Sequence, residues 1–365
     1  MSDETILVAA GGTGGHLFPA EALAHALRAR GYAVDLATDT RAEKYGQAFP
    51  ARNIYAIPAA TPTGGGAAAK ARAIATLGRG VVACLPLLRR VKPAVVVGFG
   101  GYPTVPPLVA ASLLKIPAVL HEQNAVMGRA NKFLAGRVQK IATGFPLSRA
   151  DPAVLSKTVV TGNPLRPAVL EAAKLPYPSF EGGALNVLVT GGSQGAKVFS
   201  DIVPAAIEAL SPGERSRVKL VQQARGEDRD RVLATYERIG FAAEVEPFFK
   251  DLPARIAAAH LLVARSGAST VAEVAAIGRP AILVPFPFAL DADQAANAAE
   301  LARTGAVDVI DQKVFTVEKL TELLRAALAD PQGLTKRAEA AKSAGILDAA
   351  ERLADIVVGL VRSKG

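Results

Sequence analysis

One succession, an apolar run, a glycine cluster and an amphipathic stretch, occurs twice in this chain and restricts the fold more than any other feature. Residues 5–27 read TILVAAGGTGGHLFPAEALAHAL, and residues 184–210 read ALNVLVTGGSQGAKVFSDIVPAAIEAL. Short, nearly continuous apolar strands alternating with helices require a parallel sheet covered on both faces. The first half predicts strands at 6–10, 32–38, 94–97, 117–120, 140–143 and 158–161, with a helix over 18–30. After the second glycine cluster, strands are expected at 219–222, 245–248, 261–264 and 281–285. A restart of this kind in 365 residues, half of them apolar, implies two doubly wound, Rossmann-like α/β domains. Their expected limits are 1–163 and 164–365, with the C-terminal helix able to cross back onto the first domain. The junction falls in the Pro/Gly-rich stretch 162–183, and a cleft between the domains is the expected ligand site.

Charge is distributed unevenly. Of the net +9, residues 1–150 hold 17 Lys and Arg against 7 Asp and Glu, leaving 25 against 26 for the rest. From Lys44 to His121 there is no carboxylate at all. Such a face suits an anionic partner: lipid headgroups, nucleic acid or a phosphorylated substrate. With no Trp and 5% aromatic residues, stacking platforms for single-stranded nucleic acid are scarce, so a membrane surface or a phosphate is favoured. The single cysteine, Cys84, excludes an internal disulfide. The run 6–10 reads as a first strand instead of a secretion signal. The longest uncharged stretch, 93–114, is broken by three glycines and three prolines, so no transmembrane helix is expected.

The glycine clusters do not fit the common nucleotide motifs. G-x-G-x-x-G fails in every register: Leu17 follows Gly12 and Gly14, Pro103 follows Gly98 and Gly100, and GGSQGA lacks the middle glycine. Asp39, at the end of the second strand, would suit a dinucleotide ribose but has no fingerprint to support it. The triphosphate loop fails as well, because Lys197 lies between Ala196 and Val198. Three glycine loops, 11–15, 98–101 and 191–195, remain. Amides in such loops bind anions, and two phosphorylated groups, a donor and an acceptor, would account for them.

Seven motifs then point in one direction: GGTGGH (11–16), GFGGYP (98–103), HEQN (121–124), GNPLR (162–166), GGSQGA (191–196), RSGASTVAE (265–273) and PFPFALDADQAANA (285–298). In order and spacing they resemble the bacterial MurG family, two-domain GT-B glycosyltransferases of peptidoglycan synthesis. The resemblance implies an inverting transfer of N-acetylglucosamine from UDP-GlcNAc to the MurNAc 4-hydroxyl of undecaprenyl-diphosphate-MurNAc-pentapeptide, turning lipid I into lipid II. It also implies a peripheral location on the cytoplasmic face of the bacterial inner membrane, with cell-wall synthesis proteins as further partners. UDP-GlcNAc is a substrate, and no cofactor or metal is required.

Site roles follow from the same resemblance. Inverting transfer needs a base for the acceptor hydroxyl and a cradle for the departing diphosphate. Ser193 with its neighbouring amides would serve the diphosphate, and Arg166 and Arg265 would add charge. Glu273 would accept from the ribose hydroxyls, the backbone at Phe249 would read uracil, and Gln294 and Asn124 would hold sugar hydroxyls. Thr13, Gly14 and Gly15 complete the donor set, while Gly11, Gly12, Gly100, Gly101 and Tyr102 would face the acceptor. For the base there are three rivals: His16, with an ordinary pKa near neutrality, and His121 and Glu122 of HEQN. His25 and His260 match no motif. The chain departs from relatives at two sugar-contact positions, with Asp293 before Gln294 in place of paired glutamines, and Ser200 in place of asparagine. The DAD at 291–293 resembles a metal-binding D-x-D, but one carboxylate pair supplies too few hard ligands.

An enzyme acting on a lipid-linked acceptor must lie against the membrane. Residues 70–90 place Ile74, Leu77, Val81, Leu85 and Leu88 at helical spacing among Lys70, Arg72, Arg79, Arg89 and Arg90. This stripe is expected to meet the anionic leaflet, although core packing produces the same period. The competing functions are a related lipid glycosyltransferase, a UDP-GlcNAc epimerase, and a non-catalytic nucleotide-sugar-binding adaptor. Charge without aromatic interleaving gives no support to a nucleic-acid binder.

Overall fold

Two all-parallel sheets organise the chain in a computed structural model that describes residues 4–11, 13–39, 49–62, 66–180, 183–193, 195–288 and 293–362. The first sheet contains β1 (Thr5–Ala9), β2 (Ala33–Thr38), β3 (Ile54–Ala56), β4 (Val95–Gly98), β5 (Ala118–Glu122), β6 (Lys140–Thr143) and β7 (Thr158–Val160). Their spatial order is β3-β2-β1-β4-β5-β6-β7. The second contains β8 (Leu185–Thr190), β9 (Val218–Gln223), β10 (Ala243–Glu246), β11 (Leu261–Ala264), β12 (Ala281–Leu283) and β13 (Val307–Val309), in the order β10-β9-β8-β11-β12-β13. Both are doubly wound. Strand order reverses beside β1 and β4 in one sheet and beside β8 and β11 in the other, which is where such sheets bind ligands.

Central strands are buried on both faces, as their apolar runs require: every residue of β1, β4, β5 and β11 is inaccessible. One face of the first sheet packs Ile6 and Val8 against Leu23 and Leu27 of the helix Gly14–Ala29 and against Leu353 and Val357 of the last helix, Ala349–Arg362. The other packs Leu7 and Val96 against Cys84 and Leu88 of the helix Ala67–Val91 and Leu108 of the helix Val105–Leu113. In the second sheet, Val187 and Val189 meet Phe199 and Val203 of the helix Lys197–Glu208 and Leu320 and Leu324 of the helix Val317–Ala329.

The chain divides into two compact units, residues 1–166 with 347–365, and residues 167–346. The division thus falls after Arg166 instead of after residue 163, and the last helix packs with the first unit. Its apolar face holds it there. Leu353 and Val357 are fully buried, each worth about 1.5–3 kcal/mol, whereas the exposed pairs from Arg30 to Glu351 and Asp355 contribute about 0–1 kcal/mol apiece.

Several expected elements differ from those observed. β3 and β13, three residues each, are absent from the expected strands. β10 occupies 243–246 in place of 245–248, and the first helix begins at Gly14, which puts His16 in its first turn. The helix Ala67–Val91, with 25 residues, is long and apolar enough to cross a membrane by length and composition only, a criterion that a helix packed on a core also meets. Its buried line is Ala73, Gly80, Cys84, Leu87 and Leu88. Gly80 is there because an added Cβ would lie 2.3 Å from the Pro58 carbonyl oxygen. The expected lipid-facing stripe is therefore corrected. Leu88 is buried, and Leu77, Val81 and Leu85 pack against the core, leaving only Ile74 of that set exposed. The other exposed branched residue on this helix is Val82. Arg72 and Arg79 are exposed as expected.

Candidate active site

His16 lies at the switch point of the first sheet, where the loops leaving β1 and β4 meet. Backbone encloses its ring. A Cβ built on Gly11 would come within 3.5 Å of His16 Cδ2, one on Gly100 within 3.3 Å of Cε1, and one on Gly101 within 3.3 Å of Cδ2. Gly100 and Gly101 also have φ of +85° and +72°, a region costly to residues with a Cβ. The glycines of GFGGYP therefore shape a slot for an imidazole. Thr104 Oγ donates to the Gly101 carbonyl at 2.7 Å and fastens the loop.

Behind the slot stands the end of β5. His16 Nδ1 is 3.3 Å from Gln123 Oε1, and Gln123 Nε2 donates to the Phe99 carbonyl at 2.9 Å and lies 3.2 Å from His121 Nδ1. His121 Nε2 is 3.2 Å from the Gly162 carbonyl. Full burial lowers the His121 pKa to about 4, so the ring is neutral at physiological pH. Glu122 is equally enclosed. Its Oε2 accepts from Asn131 Nδ2 at 2.8 Å and the Gly128 amide at 2.9 Å, and its Oε1 accepts from the Asn124 amide at 3.0 Å and Asn124 Nδ2 at 3.3 Å. This carboxylate folds the turn 124–131.

The three expected bases are thus unequal. His121 and Glu122 are buried and spent on internal partners, which corrects their assignment as groups that meet an acceptor; His16 is half-exposed. Of the remaining first-unit residues, Thr13 and Gly15 are exposed, Gly14 is buried against Phe18, and Tyr102 is half-buried after the slot. Gly12 lies outside the described residues. The Arg166 guanidinium stacks 3.9 Å from the Phe18 ring centroid, a cation–π arrangement at the end of the first unit.

In the second unit a glutamine again ties loops together. Gln223, the last residue of β9, accepts from the Gly191 amide at 2.9 Å and Thr190 Oγ at 3.0 Å, and donates to the carbonyls of Gly192 at 2.9 Å and Pro247 at 3.1 Å. It joins the loop that carries Ser193 to the segment leading to Phe249. Only glycine fits at 191, where a Cβ would lie 2.2 Å from the Ala196 nitrogen. Ser193 is exposed at the tip of this loop, while Phe249 is buried under Arg255, whose guanidinium carbon is 4.4 Å from the ring centroid.

Glu273 is buried on the helix Ala268–Ile277 instead of lying on a solvated face. Gln294 Oε1 accepts from the Phe286 amide at 3.0 Å. Ser200 is buried in the helix Lys197–Glu208. Residues 291 and 292 of the DAD segment lie outside the described residues. Arg265 differs from expectation. It is buried, and its Nη1 donates to the carbonyls of Val284 at 3.0 Å and Pro285 at 3.1 Å while Nη2 donates to Gln312 Oε1 at 2.6 Å. Burial lowers its pKa, and its guanidinium binds β-strand ends together instead of projecting charge. Gln123 and Gln223 are site residues that sequence reasoning misses. The available signal is a glutamine at or directly after the carboxyl end of a parallel strand.

Comparison with known proteins follows the two units. Residues 6–143 match the Glycosyltransferase family 28 N-terminal domain, and residues 186–353 match its C-terminal domain. A relative from Methylobacterium radiotolerans is 57% identical over 97% of this chain and 97% of its own, and one from Rhizobium rhizogenes is 55% identical over 100% and 97%. Both are described as UDP-N-acetylglucosamine–N-acetylmuramyl-(pentapeptide) pyrophosphoryl-undecaprenol N-acetylglucosamine transferases. The crystal structure of MurG from Acinetobacter baumannii superposes with a TM-score of 0.78 at 30% identity, covering 98% of this chain and 99% of that one.

The chain belongs to the MurG family. It is a glycosyltransferase of the GT-B fold, as its motifs led us to expect. The glycine slot gives this MurG-family chain a specific vulnerability. Gly101→Ala strains a left-handed residue and pushes a methyl group against the His16 ring. At 3.3 Å the ring must give by a fraction of an ångström, and misplacement of about 1 Å costs about 10²-fold in rate, so kcat should fall by roughly 3- to 10-fold. Gly213→Ala, at a position with open space around it, should leave kcat unchanged in the same steady-state assay.

Proposed function

We propose that this chain transfers GlcNAc from UDP-GlcNAc to the MurNAc 4-hydroxyl of undecaprenyl-diphosphate-MurNAc-pentapeptide. The observation that carries this reading is identity of 55–57% over nearly the whole length to relatives described as performing that transfer. The two switch-point loop sets supply chemistry that fits it. His16 acts as the base. It removes the proton of the acceptor hydroxyl as that oxygen bonds the anomeric carbon from the face opposite UDP, and the bond from carbon to the diphosphate oxygen breaks. The proton ends on His16 and the electron pair leaves with UDP.

The donor belongs to the second unit. Amides around Gly191–Ser193 and the start of the helix Lys197–Glu208 face the diphosphate, the backbone near Phe249 reads the base, and Glu273 accepts from the ribose hydroxyls. Gln294 completes the donor contacts proposed for this unit, and Gly11, Gly100, Gly101 and Tyr102 are the acceptor contacts proposed for the first. The scheme calls on no metal: hydrogen bonds and helix dipoles at the diphosphate supply the stabilisation.

Membrane contact completes the proposal. Ile74 and Val82, 62% and 67% exposed, lie on the open side of the helix Ala67–Val91 with exposed Lys70, Arg72, Arg79, Arg89 and Arg90. Each cation near an anionic surface is worth about 1 kcal/mol. These exposed residues support a peripheral position on the cytoplasmic face of the inner membrane, against the surface that carries the lipid acceptor.

Two measurements test these proposals. Labelled UDP-GlcNAc with a lipid I analogue in excess EDTA should give the inverted disaccharide-lipid. Glu273→Ala should raise the UDP-GlcNAc KM at least about 10-fold, the scale of a lost hydrogen-bonded charge; absence of transfer by the unmodified chain would overturn the assignment. In vesicle sedimentation, Ile74→Glu with Val82→Glu should release the chain from anionic phosphatidylglycerol vesicles while activity on a short-chain soluble acceptor persists. Unchanged sedimentation would exclude this helix face.

A further inference from the structure

The hydrogen bonds behind His16 have a direction that is set at their far end. The Gly162 oxygen can only accept, so the His121 Nε2 opposite it, at 3.2 Å, carries the proton. His121 Nδ1 then presents a lone pair, consistent with a fully buried neutral ring. Gln123 Nε2 has two hydrogens and three acceptors around it: the Phe99 carbonyl at 2.9 Å, that lone pair at 3.2 Å and the His121 carbonyl at 3.4 Å. Reversing the amide would set Oε1 against acceptors alone and lose these bonds. The orientation of Gln123 is therefore fixed, and its Oε1 faces His16 Nδ1 at 3.3 Å. An amide oxygen only accepts, so Nδ1 must donate.

We infer that Gln123 is a positioning residue that holds His16 as the Nδ1–H tautomer, so that Nε2 offers the lone pair that takes the acceptor proton. The inference rests on His16 being the base, and it adds what decides which nitrogen does the work. The relay runs from the Gly162 carbonyl through His121 and Gln123 to His16, and each member leaves the next a single choice. It also explains why HEQN places a buried histidine behind a glutamine: His121 never meets the acceptor but orients the amide that does the orienting.

A neutral amide in this position has a consequence that a carboxylate would not have. In hydrolase triads an aspartate behind the histidine both orients it and stabilises its imidazolium. Gln123 orients without adding negative charge. Titratable groups beside this relay include His121, held neutral, Glu122, whose carboxylate is turned to Asn124, Gly128 and Asn131, and Tyr102 after the slot. When Nε2 takes a proton, Nδ1–H remains bonded to Oε1, and that bond shortens as the donor becomes cationic. The amide cannot pass the proton on to His121, so it stays on His16 until solvent removes it.

The test reads the tautomer directly. The full chain has four histidines, so long-range proton–nitrogen spectra of ¹⁵N-histidine-labelled protein at pH 8 can be assigned with a His16→Gln variant. The expected result is Nδ1 protonated and Nε2 unprotonated in His16, and the reverse in His121; an Nε2–H tautomer of His16 would overturn the inference. In kinetics, Gln123→Leu should lower kcat about 100-fold, within the usual reach of general base catalysis, with the UDP-GlcNAc KM changed less than about two-fold. Gln123→Glu should restore orientation but move the acidic limb of the kcat–pH profile upward by about one unit or more. Turnover in His16→Ala would remove the base assignment, whereas the spectrum reports the tautomer whichever group is the base. Inactive His16→Ala beside a Gln123→Leu with parental kcat and unaltered His16 tautomer would remove the relay alone.

Discussion

The close approach of backbone to the His16 ring is the constraint on which the first unit's chemistry depends. Two residues without a Cβ, Gly100 and Gly101, leave room for an imidazole between the ends of β1 and β4, with Gly11 in ordinary contact beside it. The two strands are neighbours in the sheet, paired Ile6 to Val95 through Ala9 to Gly98, so packing of the buried core fixes the separation of the loops. Apolar burial thus sets a distance that a polar side chain then uses. A ring held at this point can reach the end of β5 and the hydrogen bonds that give it a direction.

The second unit solves a related problem with the same residue type. Gln223, like Gln123, stands at the carboxyl end of a parallel strand, where backbone carbonyls and amides of adjacent loops lack ladder partners. A primary amide accepts and donates at once, so one side chain satisfies several such groups. It does so without introducing a charge whose burial would need a counter-ion. In one unit the glutamine orients an imidazole; in the other it ties the loop bearing Ser193 to the segment before Phe249. Arg265 shows the contrasting solution: a buried cation balanced by two carbonyls and the Gln312 side chain. Its contribution is to hold strand ends in place.

Much of the architecture is legible in the sequence because the inner strands are uninterrupted apolar runs followed by glycines. VVVGFGG and LVTGGSQG announce a strand, a sharp departure and an anion-seeking loop within a few residues. The edges are less legible: β7 is found and β10 lies two residues from its expected place, but β3 and β13, three residues each, are missed. The period of the helix Ala67–Val91 is plain, but period alone does not say which face the core claims. Leu77, Val81 and Leu85 turn inward, while Ile74 and Val82 stay out. Site residues divide the same way. His16 is visible from its motif, whereas the enclosure of His121 and Glu122 and the occupation of Arg265 depend on partners up to 47 residues distant in the chain. Gln123 lies inside a motif that stands out, yet its role exists only through contacts with Phe99, His121 and His16.

In this scheme the donor nucleotide belongs to the strand-end backbone of the second unit, and the acceptor to the glycine slot of the first. Hydrogen–deuterium exchange of the full chain with and without saturating UDP tests that division most directly. The prediction is slower exchange at amides 191–193, 247–250 and 267–270, with 98–101 and 121–124 unaltered. Slowing at 98–101 with no change at 191–193 would contradict it.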